Sequence, residues 1–174
     1  GIRTIFNLLG PLANPAGVKR QLLGVFDAAW LEPLAQVLNR LGSEAAWVVH
    51  GDDGLDELTI TGPSQVARLN KGQIERMTIT PEDAGLSRAT ADSIKGGSPT
   101  ENAAALKALL AGSQNAYRDI VLLNAAAALI VAGQCDDLET GAAMAANAID
   151  NGAAAQMLQQ LVDFTTADRT ATAS

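Results

Sequence analysis

The chain has 174 residues, 48% hydrophobic and 18% charged, a composition that builds a packed core and excludes an intrinsically disordered segment. Its formal charge of −7 repels a phosphate backbone, so nucleic acid is not expected as a partner, and any anionic ligand needs a local device that neutralises it. The one cysteine, Cys135, rules out an internal disulfide and fits a reducing, cytoplasmic compartment, where it reads as a small buried hydrophobe.

Apolar residues at Ile2, Ile5, Phe6 and Leu9 have helical spacing, and the stretch GPLANPAG stops that helix at Gly10. QLLGVF (21–26) reads as a buried strand. After Asp27, a capping residue, Leu31, Leu34, Ala35, Leu38 and Leu41 share one helical face that ends at Gly42. AAWVVHG (45–51) is again strand-like. Helix, loop, strand, helix, strand in this order predicts an α/β fold with a parallel or mixed sheet flanked by helices. LTITG (58–62), SQVARLN (64–70) and QIERMTIT (73–80) follow as short alternating segments. They have one solvated face, and NKGQ forms the hairpin turn between the last two. TPEDAGL predicts a helical turn capped by Thr80, and GGSPTENAAALKALLAG a helix capped by Ser98 or Thr100 and closed by Gly112.

The last third reads as three helices, over 116–133, 137–150 and 152–165, followed by a small polar tail at 166–174 that frays. The longest uncharged run, 120–135, contains Asn124 and falls short of the roughly 20 apolar residues that a membrane span needs. It reads as a buried helix, and no membrane association is expected. No basic, apolar leader is visible. The chain opens on Gly1 with GIRTIFNLLGPL, which reads as the interior of a longer protein.

Four carboxylates on a glycine-loosened loop, HGDDGLDE (50–57), follow a strand, where α/β sheets gather their ligands. Two readings stand: a solvated turn, or a site where Asp56 and Glu57 hold a hydrated hard cation such as Mg²⁺, Ca²⁺ or Mn²⁺. Gly54 turns Asp52 and Asp53 away, and the spacing excludes an EF-hand. His50, the only histidine, excludes a catalytic triad and a two-histidine zinc site; it caps the strand or touches a ligand. GPLANP offers either a rigid substrate wall or an ordinary helix stop. KGGSPTENA offers backbone N–H groups to an anion, without the residues of a nucleotide phosphate loop.

RTIFNLLGPLANPAG, HGDDGLDE, TPEDAGL, GGSPTENA and RDIVLLNAAAAL, in this order, together resemble the C-terminal half of the anthranilate phosphoribosyltransferase family. The resemblance covers residues 1–165. It implies the catalytic-domain type shared by nucleoside phosphorylases and phosphoribosyltransferases, truncated at its N-terminus. It also implies transfer of a 5-phosphoribosyl group from phosphoribosyl pyrophosphate to the anthranilate amine, in tryptophan biosynthesis. The family's acidic pair matches Asp56 and Glu57, the ligands of Mg²⁺. Its rigid turn beside the anthranilate tunnel makes Gly10 and Pro11 the candidates for substrate contact. The glycine-rich pyrophosphate loop, the Lys-His-Gly-Asn stretch and the small domain through which the family forms homodimers lie outside this sequence. The anthranilate-binding arginine falls before Gly1, and Arg3, at a different motif position, does not inherit its role. These absences predict that the chain alone is inactive. The competing readings are a pyrimidine nucleoside phosphorylase-like enzyme, a nucleic-acid-binding relative of the same fold and a purely structural fragment.

Overall fold

A computed structural model describes residues 6–171, and their side chains from 9 to 166. Helix α1 (Phe6–Leu12) leads to strand β1 (Arg20–Gly24), helix α2 (Leu31–Arg40) and strand β2 (Ala45–Gly51). Strands β3 (Ser64–Asn70) and β4 (Gln73–Ile79) form a hairpin, and helices α3 (Pro99–Leu110), α4 (Ala116–Ala132), α5 (Leu138–Asp150) and α6 (Ala153–Ala171) complete the chain. The sheet is mixed, in the order β1-β2-β3-β4, with β1 parallel to β2 and the other pairs antiparallel.

The β1-α2-β2 crossover places the carboxyl ends of β1 and β2 at the same edge of the sheet. Helix α2 covers one face, where Leu31, Leu34, Ala35 and Leu38 pack on Leu23, Ala46, Val48, Ala67 and Leu69. On the other face Trp47, Val49 and Val66 meet Ile120, Leu123, Ala127 and Val131 of α4. Alternate residues of β2 thus serve two cores, which explains its unbroken apolar sequence. Helices α4 and α5 cross closely because position 141 is glycine; a Cβ there would lie 2.8 Å from Ala126 Cα. Among the described residues no helix is long and apolar enough to cross a membrane.

Several boundaries differ from the sequence reading. The first turn expected for α1, with Ile2 and Ile5, lies outside the described residues, as does Arg3. Helix α1 continues past Gly10 through Pro11 and is closed by the Ala13 N–H, 3.0 Å from the Leu9 carbonyl. β1 stops at Gly24, although the Val25 N–H still reaches the Val49 carbonyl at 2.9 Å. Leu41 is 57% exposed instead of core, since α2 ends at Arg40 and the chain reverses through Gly42 in the left-handed region. LTITG is no strand. Strand β3 has no solvated face, because α2 covers Ala67 and Leu69 while Val66 faces the opposite core. Solvent exposure falls on the edge strand β4, whose Glu75 pairs with Arg68 across the hairpin at 3.1 Å. The hairpin turn needs Lys71 and Gly72 at φ +48° and +85°, the two positive values of a type I′ turn. Helix α6 runs past the expected end at 165. There Thr165 and Thr166 return their hydroxyls to the Leu161 and Val162 carbonyls at 2.8 and 2.7 Å.

Candidate functional site

The connection from β2 to β3, residues 52–63, is long for a hairpin and passes over the carboxyl ends of β1 and β2. Backbone bonds close its base, with the Asp52 N–H 3.0 Å from the Pro63 carbonyl, and side chains brace the rest. Asp53 accepts the Thr59 and Thr61 hydroxyls at 2.6 and 2.7 Å and the Leu55 N–H at 3.2 Å. Asp52 accepts both bonds of the Gln65 amide, at 3.1 and 3.2 Å. The Thr59 N–H donates to Ser64 Oγ at 2.9 Å. Gly54, at φ +96°, closes the turn that separates these two aspartates from the pair behind them.

Asp56 and Glu57 are exposed, and within the described residues neither makes a hydrogen bond or an ion pair. Burial opposes ionisation of Asp53, but the hydroxyls of Thr59 and Thr61 and the Leu55 N–H outweigh it and hold the carboxyl below the ordinary aspartate range. Glu57 goes the other way. Displaced water first, then the charges of Asp56 and Asp53, push its carboxyl above the ordinary glutamate range. The loop therefore concentrates negative charge that forms no ion pair among the described residues, and a bound cation would relieve it. Among the described residues no three His, Cys, Asp or Glu side chains converge into a metal cage. Two carboxylates suit a hydrated hard ion that draws its remaining ligands from water or from a second molecule.

Gly10 and Pro11 lie elsewhere. Pro11 lines a cleft of about 180 Å³ with Lys19, Gln21, Leu41 and Ser43, toward the amino ends of β1 and β2, whereas the acidic pair sits past their carboxyl ends. The structure thus does not bring the two sets of predicted residues together. His50 ties the strand ends: its Nδ1 is 2.8 Å from the Val25 carbonyl, and because a carbonyl only accepts, that nitrogen carries the hydrogen. The loop before α3 keeps its N–H groups for itself. Gly97 donates to Asn102 Oδ1 at 2.8 Å, Ser98 to Glu101 Oε2 at 2.7 Å, and Glu101 to Ser98 Oγ at 3.4 Å. The Glu101 carboxylate already occupies the place an anion would take. Cys135 is half-buried, not buried; burial and the neighbouring charges of Asp137 and Asp136 push its thiol up, away from the nucleophilic form.

Two residues that shape the loop were not singled out in the sequence. Gly24 permits the Asp56 backbone to lie against β1, since any Cβ at position 24 would overlap the Asp56 carbonyl oxygen. Asn124 reaches from α4 to the Leu58 backbone. Its signal was present as a lone polar residue in an otherwise apolar helical run.

Residues 1–155 match the family model described as glycosyl transferase family, a/b domain. The chain is 62% identical over 165 residues to the anthranilate phosphoribosyltransferase of Parvibaculum lavamentivorans, covering 95% of this chain and 48% of that protein. Against the enzyme of the same name from Methylocella silvestris the identity is 64% over 163 residues, with 94% and 47% covered. The crystal structure of anthranilate phosphoribosyltransferase from Thermus thermophilus is similar with a TM-score of 0.85 at 44% identity, covering 94% of this chain and 48% of that one. The Saccharomyces cerevisiae enzyme in complex with PRPP and Mg is similar with a TM-score of 0.87 at 27% identity, covering 96% and 48%. The chain thus spans about half the length of the relatives it matches.

Proposed function

This chain belongs to the glycosyl transferase family through its a/b domain, and from that premise we propose that it is the C-terminal part of an anthranilate phosphoribosyltransferase. The whole enzyme transfers the 5-phosphoribosyl group of phosphoribosyl pyrophosphate to the amine of anthranilate and releases pyrophosphate. The observation that carries this reading is the unpartnered pair Asp56 and Glu57 on a braced loop at the strand ends, in a chain more than 60% identical to enzymes of that name. The proposal extends to a cytoplasmic homodimer paired through a domain that these residues do not include. No observation favours a nucleoside phosphorylase, and the net charge of −7 argues against a nucleic-acid-binding relative.

Displacement at the anomeric carbon of the sugar concentrates negative charge on the departing diphosphate. An acidic protein meets that anion only with a counterion between them, and the donor set fits one: two exposed oxygen ligands with no competing partner. Asp56 and Glu57 would hold Mg²⁺, which when bound neutralises the diphosphate oxygens. The protein's own contribution is to brace the backbone that carries the pair; Thr59, Thr61 and the Leu55 N–H fix Asp53, and the Asp56 backbone lies against Gly24. No nucleophile is needed, and Cys135, held protonated, supplies none. Gly10 and Pro11 are proposed to line the anthranilate path, as the family resemblance implies. The cleft beside Pro11 is compatible with a wall of small, rigid residues.

In the full-length enzyme, Asp56→Asn with Glu57→Gln is expected to reduce Mg²⁺-dependent turnover by about 100-fold. The melting temperature should stay nearly constant, because neither side chain has a partner to lose. An unaltered Mg²⁺ activation curve would remove the cation reading. Assayed alone with both substrates and Mg²⁺, the 174-residue chain should give no turnover, and rates near those of a full-length relative would show the other half to be dispensable.

A further inference from the structure

We infer that Asn124 is the positioning residue of the acidic pair, an inference that rests on reading Asp56 and Glu57 as cation ligands. The residue directly after Glu57, Leu58, is fully buried, and the chain there forms no strand, so its N–H and carbonyl have no ladder partner. Asn124, midway along α4, meets both. Its Oδ1 accepts the Leu58 N–H at 3.0 Å, and its Nδ2 donates to the Leu58 carbonyl at 2.8 Å. A second Nδ2 hydrogen goes to the Ile120 carbonyl at 3.0 Å, one turn back on the same helix, which fixes the rotamer. The carboxamide thus places one acceptor and two donors, using a combination that Asp, Ser and Leu cannot supply together.

The acidic dipeptide is consequently held at two points. At its centre, the Asp56 carbonyl lies against Gly24 at the end of β1; after it, Leu58 is held by Asn124 from the helical layer 66 residues away in sequence. The two like charges repel each other, and a free loop would separate them. Holding the backbone at Asp56 and Leu58 limits how far the two uncommitted side chains can separate, which is the preorganisation that a weakly held, hydrated ion requires. Loss of the amide leaves a buried N–H and a buried carbonyl unpaired, and the loop regains the freedom to splay.

The test uses the full-length enzyme and compares Asn124→Ala and Asn124→Asp with Ser98→Ala, a destabilised control whose hydrogen bonds stay within the start of α3. The first measurement is amide hydrogen exchange over residues 55–60, and the second is Mn²⁺ affinity, read by electron paramagnetic resonance with inorganic pyrophosphate present. Asn124→Ala should accelerate exchange in this loop by at least about 100-fold while leaving β3 and β4 protected, and weaken Mn²⁺ about 10- to 100-fold. Asn124→Asp keeps the acceptor for the Leu58 N–H and should fall between. Loop exchange and Mn²⁺ affinity no different from the Ser98→Ala control would overturn the assignment. Persistence of Mn²⁺ binding in the Asp56→Asn, Glu57→Gln double variant would instead overturn the cation reading itself, and the exchange measurement keeps these two failures apart.

Discussion

The loop after β2 and the segment that starts α3 (95–102) look alike in sequence: each has paired or spaced glycines followed by acid and adjoins a helix or strand terminus. They dispose of their charge in opposite ways. In the first turn of α3, Glu101 turns back onto the Ser98 N–H and Asn102 onto both polar groups of Gly97, so the polar atoms are consumed in starting the helix. In the loop after β2, Asp52 and Asp53 do the comparable structural work, and Asp56 and Glu57 are left over. A carboxylate that its own fold satisfies has no affinity left for a ligand. Surplus charge on a rigid backbone does, and that separates a helix cap from a candidate cation site.

Gly24→Ala puts the contrast between the two loops under the greatest strain. The new methyl overlaps the Asp56 carbonyl, so the acidic loop must lift from β1; a loss of ~1–3 kcal/mol is expected, measured by urea denaturation, together with a weakened Mg²⁺ response. An unchanged denaturation midpoint would mean that the loop is not braced against β1. Ser98→Ala addresses the other loop. It should cost about 1 kcal/mol through the lost cap, with the Mg²⁺ activation curve unchanged. The smallest effect is in pH. Hydrogen bonds from Ser98 lower the Glu101 carboxyl, and those from Thr140 lower Asp137, so both caps contribute stability above the unfolded carboxylate value near ~4 and lose it as pH falls through their folded values. Over the acid range, from roughly pH 5 down to 3, the denaturation midpoint should fall, and Asp137→Asn should flatten that fall. A variant as steep as the parent would show that the cap does not titrate with folding.

The same contrast marks how far the fold is legible in the sequence. The β1-α2-β2 unit can be read because its apolar spacing and the turn at Gly42 agree with one another, although Asp27 caps a 3-10 turn (Ala28–Trp30) that leads into α2 and not α2 itself. The hairpin can be read because Lys71-Gly72 sits between two strand-like runs. LTITG imitates a strand through its alternation, yet most of its polar groups are satisfied by Asn124, Ser64, Asp53 and Ala89, outside the segment, and by no neighbouring strand. Strand β3 carries the alternation of a half-solvated strand, and local alternation does not report that α2 covers it.

From the order of its residues alone, this chain determined its α/β class, its helix caps and the presence of surplus acid after the second strand, because these depend on neighbours a few positions apart. What Asp52 and Asp53 bond to, why position 24 has no side chain, and what Asn124 does inside an apolar helix were decided only by packing. Those facts depend on groups that lie far apart in the chain and touch only once it has folded, and no local pattern encodes which distant partner will arrive.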